Sequence, residues 1–523
     1  MKKYFSHLGA DLPAGLVVFL VAIPLCLGIA LGSEVPPFSG LIAGVIGGIV
    51  VGCVSNSRIG VSGPAAGLIA IIIAAMTTFK SELSAEGIPA ENINLMALQM
   101  LGLAVLISGI IQFILGIAKA GIIAYYFPNV VIKGMLSAIG LILIKKQLSN
   151  GFGYDKINLK EQIGLSSEQS LSFWQEIKGI FLYPDQISMV IVGVTIVSLL
   201  ILILWETKLI KNSIFRFMPG AVLVVILGIL FTIFTNGSVN EIPIDSRVDL
   251  GTSGKSFSQL FAFPLFSKLS STSIWITAIT IAIVASIETL LCVEATDKLD
   301  PEKSVTNPNR ELLAQGTGNI ISGSLGGLPI TQVIVRSSAN IGANAKTKVS
   351  AIFHGMLIVA SIFIIPNVLN LIPYASLAAI LFVVGYKLAK PKLFITIYKN
   401  GWQEFIPFIA TILGILATDL LKGIGIGLVV SLFYILKQNF NNNYKITSDK
   451  KVIKMELSEE VTFLNKASIV KYLNEIPEGM KIIIDGTNCK SINHDILEAI
   501  DAFKESQAKE KNITLELIKI PEI

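Results

Sequence analysis

The chain has 523 residues, of which 53% are hydrophobic and only 15% charged. Soluble chains carry about 25% charged residues, so 41 Lys and Arg with 36 Asp and Glu cannot give a soluble protein of this size a polar skin. The net charge of +5 is modest and scattered, which argues against a nucleic-acid partner. The four cysteines (Cys26, Cys53, Cys292, Cys489) lie far apart with no CxxC spacing and indicate neither a disulfide framework nor a metal site.

Apolar runs long enough to cross a hydrocarbon core of about 30 Å recur along the chain, which predicts an all-α polytopic membrane protein. The first run, 12–31, is too long for a secretory signal and lacks a small-residue cleavage site. Hydropathy and loop signals place fourteen segments at 13–32, 38–54, 61–78, 100–118, 129–148, 187–205, 218–235, 273–293, 310–328, 330–341, 349–366, 373–389, 404–419 and 423–437. Segment one carries Pro24, expected to break its helix and free a carbonyl. Gly40, Gly44, Gly48 and Gly52 recur every fourth residue in segment two, a seam for close helix packing. Segment three starts irregularly at Gly60, Gly63 and Pro64, and segment ten is too short to span.

After residue 437 the composition changes. Residues 438–449 are polar and Asn-rich and read as a linker. Residues 450–523 alternate β-like runs (482–484, 513–517) with amphipathic helical stretches (467–473, 495–503), a small α/β domain. The division expected is therefore a transmembrane domain at 1–437, the linker, and a cytoplasmic domain at 450–523.

Loop charges set the orientation. With the N-terminus cytoplasmic, the inside loops hold Lys2, Lys3, Arg58, Lys119, Lys208, Lys211, Arg216, Lys346, Lys348, Lys387, Lys390, Lys392 and Lys399. The loop at 79–99 sets Lys80 against Glu82, Glu86 and Glu91. This bias satisfies the positive-inside rule with both termini cytoplasmic. Lys145 and Lys146 fall on the opposite side and read as snorkelling at a helix end.

The segments form two halves of seven, each with its irregular member third, so the halves run through the membrane in opposite senses. Paired interrupted segments in inverted repeats point to a transporter's binding site. A helix start binds anions through its unpaired N–H groups and its share of the helix dipole. Ser62, Gly63 and Pro64 have the form of such a start: a cap, a close-approach position and an early-turn proline. Pro329, Ile330, Thr331 and Gln332 are expected to open the second short helix. Arg336 then lies inside that helix, where a membrane-buried charge is costly and functional. Glu288, deep in segment eight, is its matching acid, as an ion-pair partner, a proton carrier or a cation ligand. No P-loop and no nucleophile–base arrangement is present, so an enzyme is not expected and no cofactor is implied.

These residues resemble the SulP family of inorganic-anion transporters. The likeness is carried by Ala10-Asp11-Leu12, Ala22-Ile23-Pro24-Leu25, Val61-Ser62-Gly63-Pro64 and Glu288. It continues in Asn309-Arg310-Glu311-Leu312, Gln315-Gly316, Gly318-Asn319, Gly326-Gly327-Leu328-Pro329 and Arg336. The tail, with Ile484-Asp485-Gly486 and Ile492-Asn493-His494-Asp495, looks like a STAS domain.

The resemblance implies a 7+7 inverted repeat with two half-helices, divided into core and gate domains, usually dimeric, in the cytoplasmic membrane. It also implies an anion held between segments three and ten by Leu25, Ile29, Ala65, Ala66, Ile334, Val335 and Arg336. The coupling-ion site is expected at Glu288 with Thr331 and Gln332. The sodium-dependent bicarbonate branch of the family has an aspartate where this chain has Glu288, and a threonine where it has Cys292. Both departures favour a proton over sodium. The function expected is cation-coupled, elevator-like transport of bicarbonate or sulfate. An uncoupled channel or exchanger of the same fold, and a nucleobase permease, are the alternatives.

Overall fold

The computed structural model describes residues 7–122, 128–154, 182–183, 187–205, 207, 219–235, 242–251, 257–418, 420–441, 444–449, 451–462 and 465–521. Lys2, Lys3, Lys208, Lys211 and Arg216, used above to set orientation, lie outside these residues.

Among the described residues, fourteen helices match the fourteen predicted segments in order. They are α1 (Leu8–Gly32), α2 (Pro37–Val54), α3 (Ala66–Ala85), α4 (Ala90–Ile117), α5 (Asn129–Phe152), α6 (Met189–Trp205) and α7 (Gly220–Thr235), then α8 (Thr272–Leu299), α9 (Pro308–Ser324), α10 (Ile334–Gly342), α11 (Val349–Ile364), α12 (Tyr374–Leu388), α13 (Trp402–Ala417) and α14 (Leu420–Asn441). Among the described residues six of them, α3 included, are long and apolar enough to cross a membrane on those grounds alone. Helix α10 has nine residues and rises only about 14 Å, too little to span.

Two expectations about helices are corrected. Pro24 does not break α1, which runs continuously from Leu8 to Gly32 with Pro13 and Pro24 inside it. Ser62–Pro64 and Ile330–Gln332 are not helix starts but short strands, β1 and β2, paired antiparallel with Ser62 opposite Gln332, Gly63 opposite Thr331 and Pro64 opposite Ile330. Pro64 disfavours the helical region for Gly63 before it, and Ile330 and Thr331 are β-branched. Pairing also satisfies backbone groups that have no water to turn to inside a membrane. The helices begin just beyond the strands, with extended Ala65 before α3 and extended Val333 before α10.

The chain divides into two compact units, residues 1–395 with 412–423, and residues 396–411 with 424–523. Within the first, α1–α4 pack with α8–α11, while α5, α6 and α7 gather on α12. The β1–β2 pair belongs to the former group. The glycine seam of α2 permits its packing: a Cβ at Gly48 would meet Gly355 Cα at 2.8 Å, and one at Gly52 would meet Ile352 Cγ1 at 3.1 Å. Lys146, assigned to snorkelling above, pairs with Glu34 at 3.0 Å.

In the second unit, β3 (Tyr444–Asp449), β4 (Val452–Leu457), β6 (Lys481–Asp485) and β8 (Thr514–Ile518) form a sheet in the order β3-β4-β6-β8. The first pair is antiparallel and the others parallel. A parallel pair, β5 (Glu460–Val461) with β7 (Ser491–Ile492), stands apart from it. Alternation along β4 and β6 sends Ile453, Met455, Ile482 and Ile484 into one core. Ile469 of α15 (Lys466–Asn474) and Ile500 and Phe503 of α16 (His494–Glu505) complete it. Within the stretch expected as a linker, helix runs through Asn441 and a strand occupies Tyr444–Asp449.

Candidate functional site

The antiparallel strands bring the starts of α3 and α10 together and send the two helices away in opposite directions. The Val333 amide donates to the Val61 carbonyl at 2.9 Å, and the Val61 amide donates to Ser337 Oγ at 3.0 Å, which locks the start of α10 to the base of β1.

One face of α9 holds the strands in place. Glu311, Gln315 and Asn319 recur every fourth residue, and all three are fully buried. Glu311 accepts from Ser55 Oγ at 2.6 Å and from Gln315 Nε2 at 2.9 Å, and Gln315 Nε2 also donates to Ser62 Oγ at 2.8 Å. Asn319 brackets Ile330, accepting from its amide at 2.6 Å and donating to its carbonyl at 3.0 Å. Asn319 also donates to Gln112 Oε1 at 2.6 Å, and Gln112 Nε2 donates to Ser286 Oγ at 3.2 Å, joining α4 and α8 to the same network. Ser62, expected as a cap, is therefore tied to α9.

Helix α8 crosses both helix starts. The Gly67 amide, in the first turn of α3, donates to the Glu288 carboxylate. One turn on, the Ile334 amide at the start of α10 donates to the Cys292 sulfur. Glu288 Oε2 is buried without a hydrogen-bond partner. A Cβ at residue 67 would stand 2.6 Å from Glu288 Oε2 and 2.7 Å from Oε1, so only glycine lets the carboxylate sit there. Of Thr331 and Gln332, expected beside Glu288, Gln332 bonds to α8 itself: its amide donates to Oγ1 of Thr289, the residue after Glu288, at 3.3 Å and its Nε2 to Thr296 Oγ1 at 3.2 Å, while Thr331 Oγ1 donates to the Gln332 carbonyl at 3.3 Å.

Arg336 lies on the other side, in the first turn of α10, with no exposed surface. Its Nη2 donates to Cys26 Sγ at 3.3 Å, while Nε and Nη1 have no hydrogen-bond partner. The guanidinium lies against Gly63, where an added Cβ would overlap Nη1 and stand 2.9 Å from Cζ. Among the described residues no ion pair joins Arg336 to Glu288; each has its own helix start and its own glycine. Of the other residues expected around an anion, Leu25, Ile29 and Ala65 are buried, Ala66 and Ile334 half-buried, and Val335 is 43% exposed.

Sequence reasoning missed three parts of this site. The polar stripe of α9 is visible as a four-residue spacing, though its partners are not. Gly67 gives no signal beyond being a glycine. Cys26, one of four scattered cysteines given no role by their spacing, touches the buried arginine.

A profile of the sulfate permease family matches residues 8–411. The bicarbonate transporter BicA of Synechocystis sp. strain PCC 6803 is 25% identical over 431 residues, 82% of this chain and 70% of that protein. High affinity sulfate transporter 1 of Stylosanthes hamata is 20% identical over 431 residues, 82% of this chain and 61% of that one. The structure of SLC26A9 has the same fold, with a TM-score of 0.75 at 16% identity, over 99% of this chain and 85% of that one, tail included. With the paired strands ahead of α3 and α10, the buried arginine and the α/β tail in place, the match over most of its length shows that the chain belongs to the sulfate permease family.

Proposed function

We propose that the chain is a proton-coupled carrier of a small inorganic anion, sulfate ahead of bicarbonate, with Arg336 as the binding charge and Glu288 as the proton site. The observation that carries this reading is Arg336: a fully buried cation whose Nε and Nη1 have no partner, at the start of a half-helix. A buried charge without a counter-ion costs several kcal/mol, and an anion at a helix start supplies one while gaining from the helix dipole. The fixed fork of the guanidinium suits a planar or tetrahedral oxyanion. Leu25, Ile29 and Ala65, the apolar positions expected to line the site, are buried, and exclusion of water strengthens the attraction.

Glu288 stands at the start of α3, with an amide donor at Gly67 and the thiol of Cys292 one turn away. Sodium and other hard cations take several oxygen ligands, and an amide donor beside the carboxylate opposes one. A proton needs only the carboxylate. Proton coupling also bears on the cargo. A proton carried with bicarbonate delivers the equivalent of carbon dioxide and water, which cross a bilayer unaided, whereas sulfate gains a usable driving force. Elevator-like movement of the α1–α4 and α8–α11 group against α5–α7 and α12 is the motion proposed, with both chain termini cytoplasmic; the two packing groups support it.

The test is uptake of labelled sulfate and bicarbonate by proteoliposomes, with and without sodium and an inward proton gradient. Sulfate should accumulate above equilibrium under the proton gradient without sodium. Sodium-driven accumulation of bicarbonate alone would overturn the coupling assignment, and dissipation of every gradient without accumulation would make the chain a channel.

A further inference from the structure

We propose that Cys26 is a positioning residue for Arg336, its thiol fixing the guanidinium in the orientation that meets the anion. This inference rests on the reading of Arg336 given above. The Nη2–Sγ contact of 3.3 Å is the one hydrogen bond found for the arginine side chain among the described residues. Both residues are fully buried. The guanidinium is confined between Cys26 on α1 and the bare Cα of Gly63 on β1, so the sulfur sets the rotation of the fork about the end of its aliphatic stem.

The position of the sulfur is itself built. Gly44 of α2 faces it, and a Cβ at residue 44 would stand 2.6 Å from Cys26 Sγ, while one at residue 40 would run into the Cys26 backbone carbonyl. The glycine seam thus does more than pack helices: it leaves room for a third-row atom behind the arginine.

The chemistry of the acceptor explains why a thiol suits the place. Sulfur is a weak, polarisable acceptor. It orients Nη2 without neutralising the guanidinium. A carboxylate there would form an ion pair and compete with the anion for the same charge. A methyl group would leave the fork free to rotate and the Nη2 donor unpaired.

The experiment compares Cys26→Ala and Cys26→Ser in full-length protein reconstituted in liposomes, measuring initial uptake against the concentration of labelled sulfate or bicarbonate, whichever the wild type accumulates. Losing a hydrogen bond to a charged donor should raise the apparent KM of Cys26→Ala about fivefold, with Vmax per folded molecule little changed. Cys26→Ser keeps an acceptor and should stay within about twofold of wild type. A packing role gives the opposite order, because alanine suits an apolar site better than a hydroxyl. Alanine equal to or better than serine, or both at the wild-type KM, overturns the proposal. Gly44→Ala, which displaces the sulfur with Cys26 intact, should raise KM in the same direction as Cys26→Ala; a wild-type KM there also overturns it. Arg336→Ala runs alongside. A wild-type KM in that variant refutes the reading of Arg336 and this inference with it, whereas a raised KM there with normal Cys26→Ala refutes the inference alone.

Discussion

Replacing Gly63 by alanine puts a methyl group where the Arg336 guanidinium lies. Gly63 is in an extended strand and is not among the positive-φ glycines, so alanine suits the backbone. The added carbon would overlap Nη1 and approach Cζ to 2.9 Å. What it meets is the tip of a flexible side chain, so the fold can accommodate it by moving the arginine. Overpacking of this kind costs about 1–3 kcal/mol. If that cost falls on the bound geometry, the apparent KM for the anion should rise roughly 5- to 150-fold, since about 1.4 kcal/mol is a factor of ten. Gly48→Ala provides the contrast. Its Cβ would meet Gly355 Cα at 2.8 Å and the Ala351 carbonyl at 3.0 Å, helix backbone that cannot yield, so the yield of folded protein should fall. The assay is initial uptake against anion concentration for protein that elutes from size exclusion as the wild type does. A folded Gly63→Ala variant with wild-type KM would refute the placement of the anion at Arg336.

Three other outcomes are expected. Glu288→Gln, which keeps the acceptor to Gly67 N–H but cannot carry a proton, should lose gradient-driven accumulation yet retain anion exchange, and Gly67→Ala should do the same by displacing the carboxylate; accumulation at the wild-type level in either, measured with a pH gradient, removes Glu288 from coupling. Glu311→Ala leaves Ser55 Oγ without its acceptor and Gln315 Nε2 with Ser62 Oγ alone, and should cost about 1–3 kcal/mol, read as a lower melting temperature in detergent, with Glu311→Gln recovering most of it; an unchanged melt for alanine means the α9 network does not hold the strands. In the tail, the Thr487 hydroxyl, the Lys454 ammonium at 2.9 Å and the Thr487 amide, also at 2.9 Å, hold the Asp485 carboxyl down at about 2 against an ordinary 3.8. A depressed acid stabilises the fold above its unfolded pKa and loses that contribution as pH falls through the folded value, so isolated residues 442–523 should weaken between about pH 4 and pH 2, and Asp485→Asn should flatten that slope in denaturant titrations.

The spanning helices were legible because apolar length is a one-dimensional signal, and the two irregular segments because Pro and Gly interrupt them at matching places. The strands were not. Ser62-Gly63-Pro64 has the residues of a capped helix start, and only pairing with Ile330–Gln332, far away in sequence, makes it extended. Three-residue strands are too short for alternation to show. Arg336 and Glu288 stood out as charges in apolar helices, but their separation depends on which glycine each rests against. Edge strand β3 read as linker because it is exposed along its length and carries no apolar alternation. Cys26 was invisible as a partner because a thiol in an apolar helix packs as readily as it bonds.

The most direct test of the anion site is ligand-dependent stability of purified wild type and Arg336→Ala in detergent, with sulfate or bicarbonate raised against a constant ionic strength of gluconate. Binding to the folded state alone stabilises it by about 2.7 kcal/mol at a hundredfold excess over Kd. The wild type should show a saturable rise in melting temperature with sulfate, and Arg336→Ala, equally folded at the start, should show none. The same saturable rise in both proteins would contradict the assignment of the anion to Arg336.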